Sequence, residues 1–152
     1  MKNHTKFALI LCSLTIICLA IMEFTGRNQS FEDHAMVQTI FLMIAPVIVI
    51  IWGMVSKKKE RAGILSYKEA IRESLKISLV FGLISPFIFL AYYTFINPEI
   101  VASIGEVYKL TDKTNTQIIG IDMAAQFVFA LVFGLLIGVI AGICVKSKSQ
   151  QI

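Results

Sequence analysis

Residues 118–145 read IIGIDMAAQFVFALVFGLLIGVIAGICV, a run in which the one charged side chain, Asp122, stands near the start. At a rise of ~1.5 Å per residue such a run forms a helix roughly 42 Å long, enough to cross a hydrocarbon core of ~30 Å even when tilted. Lipid offers no partner to a backbone amide, so the segment has to satisfy its own hydrogen bonds as a helix. Within it Ala130, Gly134, Gly138 and Gly142 recur at every fourth position and make one smooth stripe. Helices in lipid associate by close packing rather than by the hydrophobic effect, so a stripe of small residues marks a face that meets protein.

Three further apolar runs lie upstream. Residues 7–24 carry Glu23 as their one acid, residues 37–55 carry no charge but hold Pro46 and Trp52, and residues 75–96 hold Pro86 and end in Tyr92 and Tyr93. Trp52 and the two tyrosines stand where an interfacial aromatic belt belongs. Proline is tolerated in membrane helices whose neighbours re-satisfy the freed carbonyl, and Pro46 and Pro86 mark candidate helix breaks. Lys2 and Lys6 resemble the basic start of a signal peptide, but no small-x-small cleavage site follows, so the first run is read as a retained span. The composition agrees: 57% of the 152 residues are hydrophobic and 16% are charged, with a mean hydropathy of +0.78, far from a soluble domain of this size.

Four spans therefore divide the chain into an all-α, up-down transmembrane bundle, one domain over residues 1–152. A link at 56–74 joins the middle spans, and loops at 25–36 and 97–117 lie on the other side. On the side of the link and the two ends lie Lys2, Lys6, Lys57, Lys58, Lys59, Arg61, Lys68, Arg72, Lys76, Lys146 and Lys148, eleven of the fourteen basic residues, against Arg27, Lys109 and Lys113 in the loops. By the positive-inside rule both termini are cytoplasmic.

The same topology accounts for the net charge of +4 without a nucleic-acid partner, which would need the cations gathered on a soluble surface. In the link, Ser66, Tyr67, Lys68 and Glu69 match a capping box, predicting a helix that starts at Tyr67 and runs into the third span. Lys68, Arg72 and Lys76 then fall at i, i+4 and i+8, a basic stripe able to lie against anionic headgroups, though ordinary positive-inside anchoring is the favoured reading.

The third span has a small-residue stripe of its own, Ser74, Ser78, Gly82 and Ser85, and the expectation is that it packs on the stripe of the fourth. The alternative is a seam between two copies, a homo-oligomer or a larger membrane complex. No ionisable group sits at mid-depth, where a charge costs at least ~2.5–3.5 kcal/mol. Glu23, Asp122 and Gln126 gather near the outer interface as a candidate vestibule able to hold a cation or a proton; the blander reading makes them helix-end polar groups, with Asp122 favoured by the positive end of its helix.

No nucleophile with a partnering base, phosphate loop or His-Glu-x-x-His helix is present in the sequence, which argues against an enzyme. Cys12, Cys18 and Cys144 sit in apolar runs and read as small buried hydrophobes, and His4 and His34 fall on opposite sides of the bilayer, so neither a metal nor a cofactor is assigned. Glu32, Asp33 and His34 read as a solvated turn. In the second outer loop, Asn97 and Pro98 stop the third helix, and Ile100, Val101, Ile104, Val107 and Tyr108 suggest a short helix with an apolar face for the membrane or a partner.

The Lys-rich link leading into Gly63-Ile64-Leu65-Ser66-Tyr67-x-x-Ala70, together with Tyr92-Tyr93-Thr94-Phe95-Ile96-Asn97-Pro98-Glu99, resembles the domain of unknown function family 4199, small four-span membrane proteins found mainly in the Bacteroidetes. The resemblance covers nearly the whole chain and implies an inner-membrane location, with no activity to carry over. The expected role is a structural or accessory subunit packed through small-residue seams; the alternative is a small transporter or channel component with an outward-facing vestibule.

Overall fold

The computed structural model describes residues 2–26 and 31–147, giving the backbone alone for residues 31–39 and 42. Arg27 and Lys148, and the side chains of Glu32, Asp33 and His34, lie outside the described residues. The described chain is helical: α1 (Asn3–Phe24), α2 (Phe31–Glu60), α3 (Tyr67–Ala91) passing into a single π-helical turn (Tyr92–Ile96), α4 (Ile100–Val107) and α5 (Asn115–Val145). Among the described residues three helices are long and apolar enough to cross a membrane: α1, α3 with its π turn, and α5. Residues 37–55, read as a further span, fall inside α2.

α3 and α5 make the most extensive contact, and α1 packs next most closely on α3. Their approach is set by the two small-residue stripes, which face one another. A Cβ placed on Gly134 would stand 1.9 Å from the Ser78 hydroxyl oxygen, and one on Gly138 would stand 3.0 Å from the Ser74 Cβ. Farther along, Gly82 lies against Ala130 and Gly142 against Tyr67 and Ala70. The Ser74 hydroxyl donates to the Gly134 carbonyl at 2.6 Å, a bond between helices that lipid-embedded pairs hold at about 0.6–2 kcal/mol. Around this seam Phe7 and Leu11 of α1, Ile50 and Met54 of α2, and Ile77 of α3 close the main core.

The exterior is as apolar as the interior. Ile16 and Ile21 of α1, Leu83 and Phe87 of α3, and Leu136 and Ile140 of α5 are all exposed, and on α2 Ile40, Ile44, Ile48 and Trp52 form an outward stripe. An apolar surface of this extent needs a cover other than water.

The helix ends explain the boundaries. Ser66 and Glu69 form the expected capping box at the start of α3, and an unanticipated one, Thr114 with Gln117, starts α5. α2 stops where Gly63, at φ 84°, turns its amide back to the Lys58 carbonyl, the left-handed closure that glycine adopts without a Cβ penalty. Both helices that contain a proline run through it, Pro46 in α2 and Pro86 in α3, so neither residue ends its element.

Three expectations are corrected. Tyr92 and Tyr93 are each only 2% exposed, turned into the bundle rather than out to an aromatic belt. α4 forms, but its Ile100, Val101 and Ile104 are buried with Leu19, Phe89 and Ile118 of the same chain; of the expected apolar face, Val107 and Tyr108 are exposed. Of the cysteines only Cys12 is buried, Cys18 being half-buried and Cys144 exposed.

The seam makes a measurable forecast. Gly134→Ala drives a methyl into Ser78 and is expected to destabilise the fold by about 1–3 kcal/mol, the usual cost of overpacking. Gly120→Ala, with nothing within 4 Å of the added Cβ, should be neutral or slightly stabilising. Thermal unfolding in detergent measures both, and Ser78→Gly combined with Gly134→Ala should recover most of the loss.

Candidate functional site

The polar side chains gather at the two ends of the bundle. At the end remote from the termini, the Tyr93 hydroxyl donates to Asp122 Oδ2 at 3.0 Å, and the Gln126 amide, one turn along α5, donates to the same oxygen. Glu23 Oε2 accepts from the Tyr92 hydroxyl at 3.1 Å. The expected cluster of Glu23, Asp122 and Gln126 is thus two carboxylates, each held by its own tyrosine, with the rings of Tyr92 and Tyr93 edge to face at 5.9 Å.

The π turn that contains both tyrosines closes when the Asn97 amide donates to the Tyr92 carbonyl at 2.9 Å. Such turns recur at functional positions in helices. Asn97 Oδ1 then accepts from the Ile100 amide and starts α4, so one residue ends α3 and positions the short helix beside the tyrosines. Asp122 lies seven residues into α5, beyond the first turn in which the positive end of a helix acts. The tyrosine and the amide, not the helix end, stabilise it. Gln126 Oε1 is buried and has no hydrogen-bond partner among the described residues.

The end carrying both termini holds a second polar junction that the sequence reading passed over. Asn3 of α1, itself buried, donates through its one amide nitrogen to the Gly53 carbonyl of α2 at 2.9 Å and to Glu73 Oε1 of α3 at 2.8 Å. Glu73 is 5% exposed. An acid in a lysine-rich link reads as a surface charge; the missing signal is that Glu73 precedes Ser74 and Ile77 on the inward face of α3. At the same end of the bundle Ser147, just past α5, is fastened to the link. Ser147 donates its amide to the Leu65 carbonyl at 2.9 Å and its hydroxyl to the Gly63 carbonyl at 2.7 Å, and its hydroxyl oxygen accepts from the Leu65 amide at 2.8 Å. Lys58 Nζ donates to the Val145 carbonyl at 2.9 Å, a cation on the negative end of α5.

The remaining predicted residues are distributed as follows. Ser74, Ser78, Gly82 and Ser85 of α3 and Ala130, Gly134, Gly138 and Gly142 of α5 are buried at the helix interface. Lys68, Arg72 and Lys76 are exposed along one face of α3. Chemically, then, the molecule offers two carboxylates held by phenols at one end, a carboxylate held by an amide at the other, and an interior of hydroxyls and apolar groups between them.

The Asn3–Glu73 pair is testable by a double-mutant cycle. Asn3→Ala strands a buried carboxylate, a loss of about 1–3 kcal/mol, and with Glu73→Ala the coupling should reach about 0.5–3 kcal/mol, the range for residues in direct contact. Urea or thermal unfolding in detergent supplies the four stabilities.

No curated protein and no solved structure is matched by the chain. A family model described as Protein of unknown function (DUF4199) matches residues 6–147, nearly the whole length, and the chain belongs to that family.

Proposed function

We infer that the protein is a four-span inner-membrane protein with both termini in the cytoplasm, acting as a structural or accessory subunit of a membrane assembly. The observation that carries this reading is the closure of its polar groups: Glu23, Asp122 and Glu73 each accept from a named side chain of another helix, or of α5 itself, and the depth between them is a seam of small residues. A transporter ordinarily keeps a polar site open near mid-depth. The outward stripe of Ile40, Ile44, Ile48 and Trp52 supports α2 as the fourth span, and the eleven-to-three distribution of basic residues supports the orientation.

A second reading is favoured by one atom. Gln126 Oε1, buried without a partner beside the Asp122 carboxylate, is an acceptor that a proton or a cation entering from outside would satisfy, as a small transporter or channel component would require.

Two measurements separate these readings. In sealed right-side-out vesicles, a membrane-impermeant thiol reagent should label Lys109→Cys and leave Lys59→Cys unmodified until the membrane is opened; the reverse pattern rejects the orientation. In proteoliposomes the accessory-subunit reading expects proton and potassium flux equal to that of protein-free vesicles. A flux above that background which Asp122→Asn or Gln126→Ala abolishes replaces it with the transport reading.

A further inference from the structure

An open groove with a cavity volume of about 420 Å³ runs along α3 beside α5, and Lys68, Arg72 and Lys76 line it. Its floor is apolar, made by Ile71, Leu75 and Leu79 of α3 and Leu131 of α5. The three cations stand about 6 Å apart along the helix axis, one turn between each. None of them belongs to an ion pair among the described residues, whose pairs are Lys57 with Glu60, Arg61 with Glu69, and Lys113 with Asp112.

The two acids on the same stretch of α3 are turned elsewhere. Glu69 is taken by the capping box and by Arg61, and Glu73 points inward to Asn3. The groove therefore has a cationic rim with no carboxylate in its lining. Side chains on a helix lean toward its amino terminus, so all three cations reach toward the end of the bundle where α3 begins. Immediately past Lys76 the same face becomes hydrocarbon, with Leu79, Leu83 and Phe87 exposed. The change from cation to hydrocarbon within one turn matches the boundary between headgroups and acyl chains.

We propose that this groove binds one anionic phospholipid of the surrounding leaflet, its phosphate held among Lys68, Arg72 and Lys76 and an acyl chain lying on Leu75, Leu79 and Leu131. The inference rests on the membrane reading above and deepens it: general attraction to a charged surface needs the cations alone, whereas this site needs the apolar floor as well. The volume lies within the ~300–1,000 Å³ of ordinary ligand pockets, enough for a headgroup and the first part of a chain. A soluble anion would meet the rim and leave the floor uncovered; a peptide of matching charge would leave the exposed Leu83 and Phe87 without a partner.

The test is native mass spectrometry of the full chain, extracted in mild detergent with an equimolar mixture of phosphatidylglycerol and phosphatidylethanolamine. One retained phosphatidylglycerol per chain is expected, preferred severalfold over phosphatidylethanolamine. Each cation near an anionic headgroup is worth about fivefold, so the triple variant Lys68→Gln, Arg72→Gln, Lys76→Gln should abolish that preference. Lys59→Gln with Lys109→Gln, which removes charge elsewhere, should leave it intact. Leu131→Trp fills the floor without touching a charge and should release the lipid; Leu79→Trp tests the same floor from α3 should that variant fail to fold. Retention of the preference in the triple variant overturns the proposal, as does loss in the triple variant with no effect of either tryptophan, which reduces the groove to surface attraction. Carbonate extraction of the same membranes distinguishes the two readings: a chain that stays in the pellet yet shows no lipid preference refutes the site alone, and a chain released into the supernatant refutes the membrane reading itself.

Discussion

The near-contact of two helix backbones governs this molecule. Where α3 and α5 cross at Ser78 and Gly134 there is no room for one more methyl group, and because lipid provides no hydrophobic force between helices, that proximity has to be its own source of attraction. Dispersion between closely fitted surfaces grows with every contact and collapses with a gap of an ångström. The interhelical bond from Ser74, the reach of the Tyr67 hydroxyl to the Val139 carbonyl at 3.3 Å and the meeting of Tyr93 with Asp122 all require the same separation.

Polar chemistry is confined to those ends for a related reason. A carboxylate without donors is costly in hydrocarbon, and buried Glu73, half-buried Asp122 and exposed Glu23 each accept from a side chain of a neighbouring element or turn. The tyrosines serve this purpose well: a phenol presents a large apolar ring to the core and a single donor at its tip. The π turn and Asn97 at the end of α3 place two such donors side by side, one for each acid, while α4 covers them from outside. Glu23 nonetheless stays exposed and Asp122 half-buried, and the Gln126 amide oxygen is left without a partner among the described residues.

Much of the architecture was legible in the residues because certain patterns have few physical solutions. Ser66 with Glu69 before an apolar run is a helix start, and small residues at every fourth position in two spans are a packing face in each. The orientation of Tyr92 and Tyr93 was not legible, because in a membrane helix the inward and outward faces are both apolar and hydrophobic periodicity loses its contrast. Counting donors would have helped, since Glu23 and Asp122 both require them near one level. The burial of α4 escaped for a similar reason: Ile100, Val101 and Ile104 announce an apolar face without saying what covers it. Asn3 and Glu73 lie 70 residues apart, and no local pattern joins them.

The clasp at Ser147 has a consequence for timing. It joins residues that are 82 and 84 positions apart, among the last in the described chain and the middle of it. During synthesis the link between α2 and α3 is finished long before Ser147 emerges, so the Leu65 amide and carbonyl and the Gly63 carbonyl wait for these partners while α5 is made. Only when α5 has entered beside α3 and stopped at Lys146 does the knot form. Ser147 thus acts as a fastening that closes once the earlier helices are in position, and its loss would leave the joint held by the Lys58–Val145 bond alone among these contacts.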